Sequence, residues 1–172
     1  PRTGYVVEIN ALWYNARLFT AAIQRCLGKE HIADLMEYQA EITKDSFIKT
    51  FWNGMYLDDY VDGDYHNKEV RPNQIIAASL PYSPLDRRQC KAVVDICTIS
   101  PKSGNYRPVY IGGQLERDRN FHNGPVWPWT IAAYAIAYLK VYQHSGENFI
   151  RRLLTGYEAE MSELCIGTLN EL

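Results

Sequence analysis

Residues 121–129, FHNGPVWPW, bring a histidine and two tryptophans close together in the chain. Pro128 favours the first turn of a following helix, so we expect His122, Trp127 and Trp129 to lie on one rim at its start. Indole rings stack on the C–H faces of sugar rings, and planar polar groups hydrogen-bond to pairs of hydroxyls. A single histidine is more often structural, but this combination is typical of a carbohydrate site.

A second cluster lies in residues 8–16, EINALWYNA. Glu8 and Asn10 stand at the start of a predicted helix, and Trp13 follows on the same helix. Taken alone, the glutamate would complement the positive end of the helix dipole, and the tryptophan would belong to the core. Beside the first cluster, the same residues could instead contribute polar contacts and an aromatic wall to a sugar site.

A third cluster is RPNQ, residues 71–74. Arg71, Asn73 and Gln74 lie at the start of another predicted helix, where backbone N–H groups lack helical partners. Capping of that helix is the simpler interpretation of these residues. Three such clusters in one chain favour a shared carbohydrate-binding site. The acidic residues before RPNQ are predicted to be solvent-exposed loop residues: Asp58, Asp59, Asp62 and Asp64.

The composition argues against several classes of function. The 172 residues carry a formal net charge of −2, which predicts no basic surface for nucleic acid or an anionic membrane. The longest uncharged apolar run is too short to cross a bilayer. The four cysteines lack metal-ligand spacing, so we expect reduced thiols, a cytoplasmic protein, and neither a metal nor an organic cofactor. The 13 tyrosines suit a core, an interface or a sugar-stacking cleft.

Hydrophobic periodicity predicts a mostly helical chain. Apolar residues recur at helical spacing over residues 6–27, and Gly28 is placed to end that helix. Pro72 is expected in the first turn of a short helix that ends before Pro81. The other predicted helices span residues 30–52, 86–96, 128–143 and 147–164. The predicted loops are residues 54–70, with a short strand at 56–61, and residues 98–125.

In this pattern a buried helix is followed by an amphipathic helix three times. Such alternation fits two concentric layers. The inner helices would be exposed to water only at the open end of their layer, and the outer helices would face water along one side. We expect the first helix to be mostly buried and the helix at 128–143, apolar on every face, to be buried all round. The predicted fold class is all-α. Residues 1–172 would form one unit without an internal boundary, an arc of a larger ring.

Four motifs of the chain resemble, in the same order, the C-terminal glucosidase domain of glycogen debranching enzymes, of the bacterial and archaeal amylo-α-1,6-glucosidase type. They are TG-x-x-VEINALWYNA, RPNQ, the (F/Y)H-x-G-x-VWPW block and the terminal IGT-x-x-E. The resemblance implies an (α/α)6 toroid related to glucoamylases. It also implies inverting hydrolysis of α-1,6-linked glucose in glycogen and limit dextrin, and α-glucan partners that include glycogen, limit dextrin and maltooligosaccharides.

The resemblance assigns the general base to Glu171, in GTLNEL. Inversion needs a general acid about 6.5–9.5 Å from that base, on the opposite face of the sugar ring. The family's acid lies in a Trp-Met-Asp motif before the segment that begins PRTG, so it is not in this chain. We therefore expect a fragment of a longer protein, inactive alone, whose partner is the N-terminal remainder of that protein. This sequence also departs from the family near Cys97, where relatives carry an extra turn that it lacks.

Other readings of the residues stay open. The aromatic rim could bind α-glucan without turning it over, as a non-catalytic helical module. The aromatic residues could instead be core and interface of a helical scaffold. A related glucoamylase-type hydrolase could act on another linkage, because the toroid supports several chemistries.

Overall fold

Six α-helices, one 3-10 helix (Gln143–Gly146) and three short strands lie in the part of the chain that the computed structural model describes, residues 2–98, 113 and 130–160. The all-α class predicted from the sequence is confirmed, with one small sheet added. The strands are β1 (Tyr5–Val6), β2 (Tyr60–Asp62) and β3 (Tyr65–Asn67). The helices are α1 (Val7–Cys26), α2 (Glu30–Phe51), α3 (Gln74–Ser79), α4 (Arg87–Cys97), α5 (Ile131–Tyr142) and α6 (Glu147–Glu160).

Helices α1 and α2 form a hairpin and pack against each other along much of their length. The first helix ends where the sequence indicated, because Gly28 adopts a φ of +71°, in the left-handed region that favours glycine. Both helices bury alanines, whose small side chains let two helix backbones approach closely: Ala11, Ala21, Ala33 and Ala40.

The prediction that α1 is mostly buried is wrong for the described residues. One side of α1 carries large apolar residues that are 41–59% exposed: Ile9, Leu12, Trp13, Phe19 and Ile23. Their spacing of three and four residues places them on one face. The described neighbours of α1, mainly α2 and α3, pack against its other side. Helix α1 therefore has one covered face and one open apolar face.

Helix α5 was likewise expected to be buried on every face, and among the described residues it is not. Only Ala137 and Val141 of this helix are fully buried, and Ile136 is half exposed. The covered side packs on α3 and α4. Lys140 donates hydrogen bonds to the carbonyl groups of Ala78 and Leu80, at the C-terminal end of α3. This contact ties the two helices together and satisfies carbonyl groups that lack helical partners.

The sheet fastens the start of α1 to the hairpin formed by β2 and β3. Strands β1 and β2 are antiparallel, with Tyr5 opposite Val61, and β3 continues the antiparallel order. Gly4 makes this pairing possible, because a Cβ there would lie 2.3 Å from the carbonyl oxygen of Val61. The short strand predicted at 56–61 overlaps β2 only at its end, and β1 and β3 were not predicted.

Helix α4 begins as the sequence predicted. The Asp86 carboxylate accepts from the Gln89 backbone N–H at 2.7 Å, and the Gln89 side chain accepts from the Asp86 N–H at 3.0 Å. This reciprocal capping box satisfies two groups at the helix start. No helix among the described residues is long and apolar enough to cross a membrane.

Candidate functional site

Asp59 lies at the centre of a buried network of charged side chains, next to the start of α1. Its side chain is 1% exposed. Arg2 Nη2 donates to Oδ1 at 2.7 Å, and Arg71 Nη1 donates to Oδ2 at 2.9 Å. The amide of Asn73 donates a longer bond, 3.4 Å, to Oδ1. Each oxygen of the carboxylate thus receives a guanidinium hydrogen bond, the charge-assisted type that fixes geometry most firmly.

The two arginines extend this network to Glu8 and Glu69. Arg2 holds Glu8 with both terminal nitrogens, at 2.5 and 2.7 Å. Arg71 holds Glu69 through Nη2 at 2.5 Å. The chain of contacts Glu8–Arg2–Asp59–Arg71–Glu69, which we call the Asp59 network, carries three negative and two positive charges. It links two of the clusters singled out in the sequence, because Glu8 belongs to EINALWYNA and Arg71 to RPNQ.

Backbone pairing brings Asp59 to this position. The Val7 N–H donates to the Asp59 carbonyl at 3.1 Å, and the Asp59 N–H donates to the Asn67 carbonyl at 2.9 Å. The residue is therefore held between the start of α1 and the end of β3. With its backbone fixed on both sides, the Asp59 carboxylate is directed between the two arginines by the fold.

Burial and pairing act in opposite directions on the ionisation of this network. Burial raises the pKa of Asp59, against the opposing effect of the Arg2 and Arg71 guanidinium groups. For Arg2, burial alone would lower the pKa, but contacts with Glu8 and Asp59 raise it above its usual value. The two guanidinium groups favour the ionised form of Asp59, so we expect the network to be charged at neutral pH.

Gln74 supports the Asp59 network through two side-chain hydrogen bonds to the backbone. Its side-chain oxygen accepts the Leu57 N–H at 3.2 Å, and its nitrogen donates to the Arg71 carbonyl at 3.3 Å. Gln74 is 2% exposed and Asn73 is 8% exposed.

Helix α3 begins only at Gln74, so the prediction that Pro72 lies in its first turn is wrong. The Pro72 carbonyl instead accepts the Ile75 N–H in a turn that leads into the helix.

Trp13 and Asn10 lie outside the Asp59 network. Trp13 is 56% exposed, so its interpretation as a core residue is wrong. The Arg17 guanidinium lies over the indole, 4.9 Å from the ring centroid. Asn10 donates to the Val6 carbonyl at 2.8 Å and lines a groove between α1 and α2, together with Tyr5, Thr43, Ser46 and Thr50.

The remaining predicted site residues, His122, Trp127, Trp129 and Glu171, lie outside the described residues. The roles predicted for them, as sugar-binding rim and as general base, stay predictions. Among the described residues, Arg71 and Asn73 contact the Asp59 carboxylate directly, and Glu8 is linked to it through Arg2. Trp13 and Asn10 lie elsewhere on α1.

Sequence reasoning missed Asp58, Asp59 and Arg2. The prediction that the loop aspartates are solvent-exposed is wrong for Asp58 and Asp59, which are each 2% exposed, and holds for Asp62 and Asp64. The available signal was local: the two carboxylates follow Leu57 and precede Tyr60 and Val61, in a segment rich in apolar residues. The complementary signal was that Arg2 and Arg71, which are far apart in the sequence, had no predicted acidic partner.

Comparison with known proteins agrees with the motifs. The chain matches the amylo-alpha-1,6-glucosidase family over residues 1–172. A glycogen debranching enzyme of Saccharomyces cerevisiae is 25% identical to this chain over a matched region that covers 80% of this chain and 12% of that protein. The chain therefore spans about an eighth of the length of this curated relative. The family predicted from the sequence is confirmed: the chain belongs to the amylo-alpha-1,6-glucosidase family.

Proposed function

We propose that this chain is part of an inverting glycoside hydrolase that releases α-1,6-linked glucose from glycogen and limit dextrin and that also binds maltooligosaccharides. Family membership over the whole chain supports the reaction class. The structural observation that carries the proposal is the Asp59 network, because it fixes Glu8 and Arg71 relative to each other. Substrate-positioning groups must be held rigidly if a sugar is to be oriented for attack.

In this proposal Glu171 is the general base that activates water. The general acid comes from a Trp-Met-Asp segment upstream of this chain, and it protonates the leaving oxygen from the opposite face of the sugar. His122, Trp127 and Trp129 form the rim, and Trp13 adds a further aromatic wall. Glu8, Asn10, Arg71 and Asn73 supply polar contacts to hydroxyl groups.

Gln74 has a supporting role in this proposal. Its amide is buried and uses its oxygen on the Leu57 N–H and its nitrogen on the Arg71 carbonyl. Contact with a sugar would require breaking bonds that shape the RPNQ turn. We therefore propose that Gln74 holds Arg71 in place and that Arg71 touches the substrate.

The open face of α1 supports the proposal of a larger ring. Ile9, Phe19 and Ile23 expose 44–59% of their surface, and an apolar helix face of this kind is usually covered. We propose that helices of the N-terminal remainder of the parent protein cover it and complete an (α/α)6 toroid. The 172 residues alone are then expected to release no glucose, because they hold one of the two required carboxylates.

A cytoplasmic location is part of the same proposal. Cys26, Cys90 and Cys97 are free thiols, as expected in a reducing compartment.

The test uses the full-length natural protein and its Glu171→Gln variant. Proton NMR follows the anomer of glucose released from an α-1,6-branched limit dextrin. We expect β-glucose from the wild type and a loss of at least a hundredfold in rate for the variant. Glu41→Gln, on the exposed side of α2, is the matched control and is expected to retain the wild-type rate. Release of α-glucose would contradict inversion, and glucan binding without glucose release would favour the non-catalytic module.

A further inference from the structure

A cleft of about 490 Å³ lies between the C-terminal end of α2 and the β2–β3 hairpin. Its volume is in the range of small-ligand sites. None of the residues assigned to the sugar site in the previous sections lines it. Aromatic and polar side chains together form its lining, chiefly Trp52, Asn53, Asp58, Tyr65, His66 and Lys68.

The polar part of this cleft is fixed before any ligand arrives. The Asp58 side chain is 3% exposed and accepts from Asn53 Nδ2 at 2.8 Å. His66 Nδ1 lies 2.9 Å from the other Asp58 oxygen. An ionised carboxylate can only accept, so Nδ1 of a neutral His66 carries the proton and Nε2 remains as an acceptor. Asp58 thereby sets both the tautomer and the orientation of the imidazole.

The charges around the cleft cancel. Lys49 and Lys68 contribute two positive charges, which the two negative charges of Asp58 and Asp64 balance. A phosphate or carboxylate ligand would meet both aspartates, so the cleft does not favour an anion. Balanced donors and acceptors without net charge suit a neutral ligand rich in hydroxyl groups.

The aromatic part of the cleft suits the same class of ligand. Tyr65 is 56% exposed although its ring lies 5.9 Å from that of Tyr60, and Trp52 is half-buried against the core. Exposed aromatic rings beside planar hydrogen-bonding groups are the combination that binds the apolar and polar faces of a sugar ring. The cleft therefore offers both kinds of contact to one carbohydrate unit.

We propose that this cleft is a second α-glucan-binding site, separate from the site of hydrolysis. The proposal rests on the proposed function for the identity of the glucan. Asp58 and Asp59 are consecutive, but their carboxylates contact different groups. Asp59 contacts Arg2 and Arg71 and holds the Asp59 network together. Asp58 contacts Asn53 and orients His66 in the cleft. Two neighbouring residues thus support two sites, and the second would keep a polymeric substrate attached near the first.

The test measures protection of Tyr65 in the full-length protein. Hydroxyl-radical footprinting with mass spectrometry is carried out with and without maltoheptaose, and modification of Tyr65 is divided by that of Tyr38. Tyr38 is the internal control because it is 67% exposed and lies on α2, eleven residues or roughly 16 Å before Lys49. The ratio also corrects for radicals that the sugar scavenges. We expect it to fall at least twofold.

Matched variants provide a second readout. Tyr65→Ala is expected to weaken glycogen binding in affinity electrophoresis by roughly three- to tenfold, the value of one aromatic contact, whereas Tyr38→Ala binds as the wild type. Glucose release with an unchanged footprinting ratio, and equal binding by both variants, would overturn the cleft as a glucan site. Tyr65 protection without glucose release would support the cleft and count against the hydrolase. Neither protection nor release would refute both.

Discussion

Removal of the Asp59 carboxylate should destabilise the protein more than any other single change in the loop between α2 and α3. In Asp59→Ala, Arg2 and Arg71 each lose an acceptor at 2.7–2.9 Å. Both guanidinium groups are largely buried, with side-chain exposures of 15% and 12%. Leaving a buried charge without its partner costs about 3–5 kcal/mol of unfolding free energy. Because Glu8 and Glu69 still hold the two arginines, we expect about 3 kcal/mol for this variant, the lower end of that range.

Asp59→Asn should be milder than Asp59→Ala. The amide keeps one oxygen that accepts from one guanidinium group and fills the same space. Burial raises the pKa of Asp59. The folded protein therefore favours the neutral form of this side chain more than water favours the neutral form of a free aspartate. The expected loss is about 1 kcal/mol, comparable to one hydrogen bond.

Urea unfolding of the full-length protein, followed by circular dichroism, measures both losses. Asp62→Ala and Asp64→Ala are the controls, since both aspartates are exposed in the same loop and should change the free energy of unfolding by less than about 0.5 kcal/mol. The slope of free energy against urea must stay constant for the comparison to hold. A loss under about 1 kcal/mol for Asp59→Ala would refute the reasoning, because two buried guanidinium groups would then be stable without their shared partner.

Three further outcomes are expected. Lys140→Met should lower the free energy of unfolding by about 1 kcal/mol, because the carbonyls at the end of α3 lose a charged donor; thermal unfolding measures it. Iodoacetamide at pH 8, with peptide mapping, should alkylate exposed Cys26 well before Cys97, since burial raises the pKa of Cys97 to about 12; equal rates would contradict this. Burial acts to raise the pKa of Asp95, but Lys91 lowers it overall. The stability that Asp95 adds should therefore be complete above its usual pKa and lost as pH falls through the folded-state value, so Asp95→Asn and wild type converge in acid.

Local signals in the sequence were enough to predict the helical framework. Residues 6–27 show a helical period that ends at a glycine, and α1 ends there. An amphipathic helix was predicted over residues 86–96, and α4 spans Arg87–Cys97 after a capping box formed by Asp86 and Gln89. Such signals act between residues a few positions apart, so they can be recognised in the sequence without knowledge of the rest of the fold.

Burial and strand pairing could not be predicted in the same way. The pairing of Tyr5 with Val61 joins residues far apart in the chain, and strands of two or three residues have no period to recognise. Asp58 and Asp59 are charged residues of a loop, and charged residues are almost never fully buried unless paired. Their partners Arg2, Arg71 and His66 become neighbours only once the chain has folded.

The candidate site shows the same division. The residue types of EINALWYNA and RPNQ indicated where polar contacts gather, and the structure connects Glu8 with Arg71. The connection itself required Arg2 and Asp59, whose roles depend on three segments meeting. An indole at helical spacing is usually core, so the helical position of Trp13 alone did not indicate that its side chain is exposed.

The separate contacts of Asp58 and Asp59 also constrain how the loop can change in length. The Asp58 N–H donates to the Phe51 carbonyl and the Asp59 N–H donates to the Asn67 carbonyl, so each residue is held in its own place. Inserting or deleting one residue between Leu57 and Asp59 would move at least one of the two carboxylates away from its partners. The tip of the β2–β3 hairpin, where Gly63 has open space around it, carries no such restriction. Among relatives, we therefore expect length variation to collect at the tip and to be absent from the three residues before β2.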